Sequence, residues 1–279
     1  MSSKNNICFL GAVIIVKNES KYIKEWLEFH KLVGFERFFV YDNESTDSTK
    51  QILEPYIKSG IVEYIYWPGQ KQQLLAYNHA LKSHKTKCNW LAFIDADEFV
   101  VPAQAADIPS IIRDIARRPG IAQIICPWIM YGPNGHITDP DGLVIKNYTT
   151  HRPLQHYGLK SILNPRKIAK MVSPHQGIPH IFCYSIDTDG KKYKYDWFGH
   201  QWESDKILPY DRIRINHYYT KSVARYKERN KIASVLTGTH PRTKELLEQI
   251  CADSTIYDDV MTKYIEKLAQ NFNKKGEVL

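Results

Sequence analysis

The chain is poor in cysteine, with five in 279 residues. Cys8, Cys88, Cys126, Cys183 and Cys251 are scattered, odd in number and never in C-x-x-C spacing. That argues against zinc and against a disulfide framework, and it predicts reduced thiols in a cytosolic compartment. Long apolar runs are also missing: the longest, "ICFLGAVIIV" at 7–16, has ten residues, where a membrane-spanning helix needs about 20. It passes straight into charged "KNESK" with no small-residue cleavage site, so it reads as a buried first strand and not as a signal peptide. Neither G-x-G-x-x-G nor G-x-x-x-x-G-K-[ST] occurs, so no dinucleotide fold or P-loop is indicated. With no internal repeat and no low-complexity linker, one continuous domain over 1–279 is expected.

What is present fits a soluble globular protein: 43% hydrophobic, 24% charged, with 18 Tyr, 10 Phe and 6 Trp. The net charge of +8 is unevenly placed, since residues 1–139 carry 15 basic and 15 acidic side chains and residues 140–279 carry 23 and 15. A basic half suits nucleic acid, an anionic membrane surface or phosphorylated substrates, whereas a solvated lysine face is the plain alternative. Lys191, Lys192 and Lys194 in "DGKKYKYD", with Lys274 and Lys275 near the end, are its most prominent groups.

The first half alternates strand and helix. A strand at about 9–16 precedes a helix at about 20–33, with Ile23, Trp26, Leu27 and His30 at helical spacing and Gly34 ending it. "RFFVY", "IVEYIYW" and "NWLAFI" follow as strands, separated by helices in "TKQILEPYIKSG" and "QKQQLLAYNHALKSH". Such alternation predicts an α/β fold with a mostly parallel central sheet, whose ligands bind beyond the carboxyl ends of the strands. Three polar clusters fall at such ends: "KNE" at 17–19, "DNES" at 42–45 and "DADE" at 95–98. From Pro127 to Tyr219 loops and short strands are expected, followed by helices near 221–234 and 255–270.

The sharpest feature is "FIDADEF", 93–99, where an apolar run enters Asp95, Asp97 and Glu98. Three carboxylates within four positions repel one another, so a positive charge should compensate them. Two aspartates at i and i+2 beyond a strand end can turn their oxygens toward one hard divalent cation, Mn²⁺ or Mg²⁺, which in turn can neutralise a departing diphosphate. A bare D-x-D in an exposed loop is the plain alternative. Haloacid-dehalogenase-like phosphatases also place D-x-D after an apolar strand, but on the first strand and followed by Thr or Val; here three strands precede it and Glu98 and Phe99 follow.

"VKNESKYIKEWLEFHKLVGFERFFVYDNESTDST" together with "FIDADEF" resembles the nucleotide-sugar glycosyltransferases of the GT-A fold, and most of all family 92 with its family 2-like bacterial relatives. "PWIMYGPNGH" resembles that family's W-x-x-F-G-S-x-G-H stretch, with Tyr131, Pro133 and Asn134 departing from it. "GLVIKNYTTHR", "LKSILNP" and "INHYYTKSVARYKER" resemble later stretches, the last with Ala224 and Arg225 where acidic residues are usual.

The resemblance implies a GT-A domain with a nucleotide-sugar half at 1–130 and an acceptor-side half at 131–279. It implies Asp95 and Asp97 as metal ligands, joined by His217, with Asp42 on a uracil base and Lys17, Asn18 and Glu19 beside it. Gln73 and Asn78 would approach ribose or phosphate and Lys221 the diphosphate. Each has a plain rival: a turn cap for Asp42, a semi-buried histidine for His217, a solvated helix stripe for Lys221, Arg225 and Arg229. The implied reaction is inverting sugar transfer from a UDP-sugar to a glycan or lipid-linked glycan acceptor, of the polysaccharide or lipopolysaccharide type, with no nucleic-acid partner. Inversion needs a general base, for which Glu203 is the first candidate and His136 the second; Asp205 is a further one. A relative that binds nucleotide-sugar without turnover is the alternative reading. The expected location is cytoplasmic, with peripheral contact at the inner membrane face.

Overall fold

The computed structural model describes residues 7–155, 158–193, 207–231 and 243–273. In chain order the first half comprises β1 (Cys8–Val16), α1 (Ile23–Leu32), β2 (Arg37–Asp42), α2 (Thr49–Lys58), β3 (Val62–Tyr66), α3 (Gln73–Ser83), β4 (Cys88–Phe93), β5 (Glu98–Pro102), α4 (Ile108–Ile115) and β6 (Ile121–Met130). There follow α5 (Val144–Asn147), β7 (Thr150–His151), β8 (Leu159–Leu163), β9 (Ile168–Met171), β10 (Gly177–Pro179), β11 (Tyr184–Asp187) and β12 (Lys192–Tyr193). The last elements are β13 (Ile213–His217), α6 (Val223–Arg229), α7 (Lys244–Asp253), β14 (Ile256–Tyr257) and α8 (Thr262–Asn273).

The main sheet runs β12-β11-β6-β8-β4-β1-β2-β3, with β13 bridging β6 and β5. β1 can sit at its centre because its apolar run is buried on both faces, as a strand flanked by parallel neighbours and covered by helices requires. The block β3-β2-β1-β4 is parallel throughout, as the strand–helix alternation predicts. Beyond β4 the sheet becomes mixed, because β8 returns antiparallel between β4 and β6. This is the α/β architecture expected of a GT-A chain, and it brings the ends of β1, β2, β4 and β6 to one side. One apolar cluster joins Leu10 on β1 and Trp26 on α1 to Tyr264 and Leu268 on α8.

Three expectations change. Cys8 and Cys88 are not free thiols: they stand opposite one another in the β1–β4 register, 4.5 Å apart at Cα, and are joined as a disulfide. The cysteine argument for a cytosolic compartment therefore loses its footing. The region from 127 onward also holds more regular structure than its prolines suggest, with β6 ten residues long although Pro127 interrupts its donors. The final helix begins only at Thr262, and α7 precedes it. No helix among the described residues is long and apolar enough to cross a membrane.

Candidate active site

The acidic turn lies between β4 and β5 and is gripped from α1. Trp26 and His30, one helical turn apart and both fully buried, face it. The Trp26 indole N–H donates to the backbone carbonyls of Asp95 (3.1 Å) and Glu98 (2.9 Å). His30 Nε2 accepts the N–H of Val100 at 3.1 Å, so its proton sits on Nδ1, 2.8 Å from the Trp26 carbonyl oxygen. Burial pushes the His30 pKa down to about 3, so the ring is held neutral.

Within the turn, Asp95 and Glu98 surround a cation. Lys160, on β8, is 1% exposed, and its Nζ lies 2.8 Å from Asp95 Oδ2 and 3.3 Å from Glu98 Oε2. Asp95 Oδ1 accepts from Gln73 Nε2 at 2.8 Å and from the Tyr77 hydroxyl at 3.1 Å, and Glu98 Oε2 accepts the Asp95 backbone N–H at 2.9 Å. Burial alone would depress the ammonium, but Asp95 and Glu98 hold it above the ordinary lysine range. Burial pushes the Glu98 carboxyl up to about 7, with Lys160 opposing. This is the compensating charge that three neighbouring carboxylates demand.

His217 arrives on β13, paired with Glu98 across the antiparallel β5 ladder and with Met130 on β6. Its Nε2 is 3.5 Å from Asp97 Oδ1 and its Nδ1 4.0 Å from Glu98 Oε1. Both His217 Nδ1 and Glu98 Oε1 are buried without a hydrogen-bond partner. The Trp128 ring lies 4.5 Å from the imidazole. Trp128 can lie there because position 158 is glycine: φ is +145°, and a Cβ would fall 2.3 Å from the indole.

A divalent cation fits this arrangement in a limited way. Asp97 Oδ1 and His217 Nε2 are separated by 3.5 Å, near the ~3 Å between adjacent ligands of an octahedral ion bonded at about 2.1 Å. No group of three or more His, Cys, Asp or Glu side chains poised to hold a metal exists among the described residues. Mg²⁺-like ions accept such sites, taking one or two carboxylates and completing the shell with water and substrate phosphate.

The second part of the site lies at the ends of β1 and β2. Asp42 is buried and accepts from the Tyr64 hydroxyl (2.6 Å) and the Ser45 N–H (2.9 Å). Asn18, at φ +57°, receives the Thr46 N–H on its side-chain oxygen and gives its own N–H to Ser45 Oγ. Lys17 stands 4.0 Å from Glu44. Glu19 is 4% exposed and faces α6, 3.5 Å from Arg225 and 3.4 Å from Arg229. The basic repeat of α6 is thus turned inward and is no solvated stripe.

Lys221 connects the two parts. It is buried, sits at φ +48°, and places its ammonium 4.4 Å from the Tyr22 ring centre, with Arg225 over the same ring at 5.1 Å. Burial lowers its pKa, while Asp97 and Glu19 oppose the shift. A non-glycine residue in the left-handed region persists only where its surroundings hold it there. Here Asp139 supplies the hold, accepting from Ser222, Tyr22 and Lys21, bonds that offset burial and keep its carboxyl down at about 2.

The fold therefore brings Gln73, Asp95, Asp97 and His217 together, and Lys17, Asn18, Glu19 and Asp42 beside them, with Lys221 between. Asn78 lies elsewhere in its bonding: its amide is spent on both backbone groups of Met171, tying α3 to β9. His136 lies on the loop docked to the start of α6, its Nε2 3.1 Å from the Asn147 carbonyl oxygen. Glu203 and Asp205 lie outside the described residues. Sequence reasoning missed Lys160, Trp26 and Asp139 as site builders. The available signal for Lys160 was a lone lysine inside the apolar strand "LKSIL".

Comparison with known proteins gives one family and several distant likenesses. The model for "Glycosyltransferase family 92" matches residues 13–186. A family 92 protein of Oryza sativa subsp. japonica is 28% identical over 155 residues, covering 54% of this chain and 26% of that protein. One from Arabidopsis thaliana is 26% identical over 215 residues, covering 70% and 36%. The chain thus spans about a quarter to a third of the length of these curated relatives. Among solved structures, S. aureus TarS 1–349 has a TM-score of 0.42 at 16% identity, covering 94% of this chain and 73% of that one. GalNAc-T7 with UDP, GalNAc and Mn²⁺ has a TM-score of 0.44 at 13% identity, covering 95% and 58%.

Proposed function

The chain belongs to glycosyltransferase family 92, and from that premise we propose that it moves a sugar from a UDP-sugar to a glycan acceptor, with metal dependence and inversion at the anomeric carbon. The observation that carries the reading is the junction at Lys221, where the acidic turn and the basic face of α6 meet. A site that must hold a diphosphate beside a hard cation needs both signs of charge within reach, and Asp97, His217, Lys221 and Arg225 supply them.

In this reading Asp97 and His217 hold Mn²⁺ or Mg²⁺, with Asp95 completing the acidic turn. When bound, the ion neutralises charge on the diphosphate as it departs. Lys221 and Arg225 approach the diphosphate from the opposite side, their positions fixed by Tyr22 and Asp139. Asp42, Asn18 and Lys17 take the uracil end, and Gln73 orients Asp95. A base must remove the acceptor hydroxyl proton as the anomeric bond breaks. Glu203, His136 and Asp205 are the candidates, and replacing each by an uncharged residue separates them, since only the true base will lower turnover while leaving UDP affinity unchanged.

The deciding experiment is a panel of UDP-sugars assayed for UDP release with and without Mn²⁺ or Mg²⁺. Metal-dependent release from one donor supports the enzyme. Tight UDP binding with no release from any donor, with or without glycan acceptors, supports the non-catalytic alternative.

Peripheral contact with an anionic membrane face completes the proposal. Ile181 and Phe182 are 81% and 94% exposed, and Lys192 lies against Tyr184 two residues on, among the excess charge of the second half. The protein should sediment with anionic vesicles at low salt and be released by roughly half-molar salt, where screening acts within a few ångströms. Failure to sediment at low salt removes the membrane from the account.

A further inference from the structure

At the end of the sheet opposite the acidic turn lies a basic cleft that sugar transfer does not use. It opens between the C-terminal end of α3 and the loop joining β8 to β9, and has a volume of about 430 Å³. Lys82, Lys85, Arg166 and His180 line it, and no carboxylate does. Lys82 and Lys85 are exposed and, among the described residues, have no carboxylate partner. Arg166 donates from Nη1 to the carbonyls of Lys85 (2.9 Å) and Cys88 (3.2 Å) and from Nη2 to Asn89 Oδ1 (2.8 Å). These acceptors are neutral, so they tie the walls together and leave the positive charge uncompensated. Cys88 opens β4 and Asp95 follows its end, which at about 3.3 Å per residue sets the cleft roughly 20 Å from the acidic turn.

Beside the cleft stands an apolar tip. The His180 N–H donates to the Lys167 carbonyl oxygen (2.8 Å) and the Cys183 N–H to that of His180 (2.9 Å), so Ile181 and Phe182 are the central residues of a tight turn. They are 81% and 94% exposed. Phe182 sits at φ +68°, where such a turn ordinarily takes glycine. A bulky residue in that region costs conformational free energy, and a side chain so exposed recovers nothing from the rest of the chain. We propose that this end of the molecule is a membrane-docking site: the cleft seats the phosphate of an anionic phospholipid headgroup while Ile181 and Phe182 enter the headgroup–acyl boundary. The proposal rests on the peripheral membrane contact of the functional reading, and adds to it a headgroup site and a side of the fold. An exposed apolar tip next to uncompensated cations suits an anionic bilayer, which offers both phosphate and hydrocarbon. A free anion or an acidic glycan would leave the tip without a partner. Lysines present only to offset the carbonyl end of α3 would need no such tip.

The test uses the full chain and its sedimentation with phosphatidylcholine vesicles, with and without phosphatidylglycerol, at low salt. Wild type should bind the anionic vesicles alone. Phe182→Gly suits the positive φ, so its melting temperature should equal or exceed that of wild type. Its vesicle affinity should nevertheless fall at least about tenfold, the equivalent of one aromatic side chain kept out of the bilayer. Lys82→Gln combined with Lys85→Gln should lower the affinity about fivefold for each lysine removed. Lys50→Gln combined with Lys146→Gln, which removes exposed lysines on α2 and α5, should cost far less. UDP release from a soluble donor should be unchanged in the tip and cleft variants. The proposal is overturned if either Phe182→Gly or the Lys82–Lys85 pair binds anionic vesicles as wild type does. It is overturned as well if the Lys50–Lys146 pair costs as much as the cleft pair, since the attraction is then diffuse. Self-association of wild type without vesicles, abolished by Phe182→Gly, would assign the tip to a second copy and also overturn it. Failure of wild type to bind anionic vesicles at all is a different result, and it removes the membrane contact itself together with this site.

Discussion

Trp26→Phe separates the clamp on the acidic turn from simple core packing. Phenylalanine keeps an aromatic ring in a fully buried site, but it removes the indole N–H that donates to the carbonyls of Asp95 and Glu98 at 3.1 and 2.9 Å, leaving the Asp95 carbonyl with the Glu98 N–H. Leaving a buried acceptor without its donor costs about 1–3 kcal/mol. The lost indole volume adds a cavity contribution of roughly 1 kcal/mol. A total of about 2–4 kcal/mol corresponds to a melting temperature lower by roughly 5–15 °C in a chain of this size. The turn carries Asp97, so metal-assisted UDP affinity should fall as well, even at temperatures where the variant is fully folded. Thermal unfolding by circular dichroism gives the first quantity and calorimetry with Mn²⁺ the second. A melting temperature within a degree or two of wild type, with unchanged UDP affinity, would refute the clamp.

Two other outcomes follow from the same neighbourhood. His30 is buried neutral with a pKa near 3, below its unfolded value of about 6.5, so the unfolded chain binds the extra proton first. Its contribution is fully present above pH ~6.5 and is lost as pH falls toward 3, at up to about 1.4 kcal/mol per pH unit. Glu25 and Glu98, both pushed up to about 7 by burial, act with the opposite sign, so the telling quantity is the difference between wild type and His30→Gln in denaturant unfolding from pH 4 to 7. A difference that does not change with pH contradicts the assignment of His30. Gly158→Ala sets a Cβ 2.3 Å from the Trp128 ring at a φ of +145°, and should cost about 1–3 kcal/mol while shifting the ring that backs His217. Unaltered stability together with unaltered Mn²⁺–UDP affinity would show that Trp128 does not hold the imidazole.

Much of the first half was legible because its signals are local. The apolar run at 7–16 read better as a buried first strand than as a signal peptide, and the spacing of Trp26 and His30 announced one helix face. The three polar clusters at strand ends announced a composite crevice. The need for a positive charge beside Asp95, Asp97 and Glu98 was equally legible, but its source was not. Lys160 is 65 residues away in sequence, and only the antiparallel return of β8 beside β4 carries it there. The Cys8–Cys88 pair was hidden for the same reason, since parallel register decides it and spacing does not. Helix α4 was a different kind of miss: Asp107, whose side chain accepts the Ser110 N–H, and Pro109 in the first turn form a local start signal that stood in the sequence. The inward turn of the α6 basic repeat was not readable from spacing alone, because a repeat at i, i+4 and i+8 is the same whether it faces Glu19 or water.

The central claim is that the turn after β4 supports metal-dependent sugar transfer, and Asp97→Asn tests it most directly. The change keeps the size of the side chain and removes one charge 3.5 Å from His217. Turnover of the UDP-sugar used by wild type, measured as UDP release at saturating Mn²⁺, should fall by at least about a hundredfold while the unfolding transition stays in place. Near-wild-type turnover by a folded Asp97→Asn protein would contradict the account.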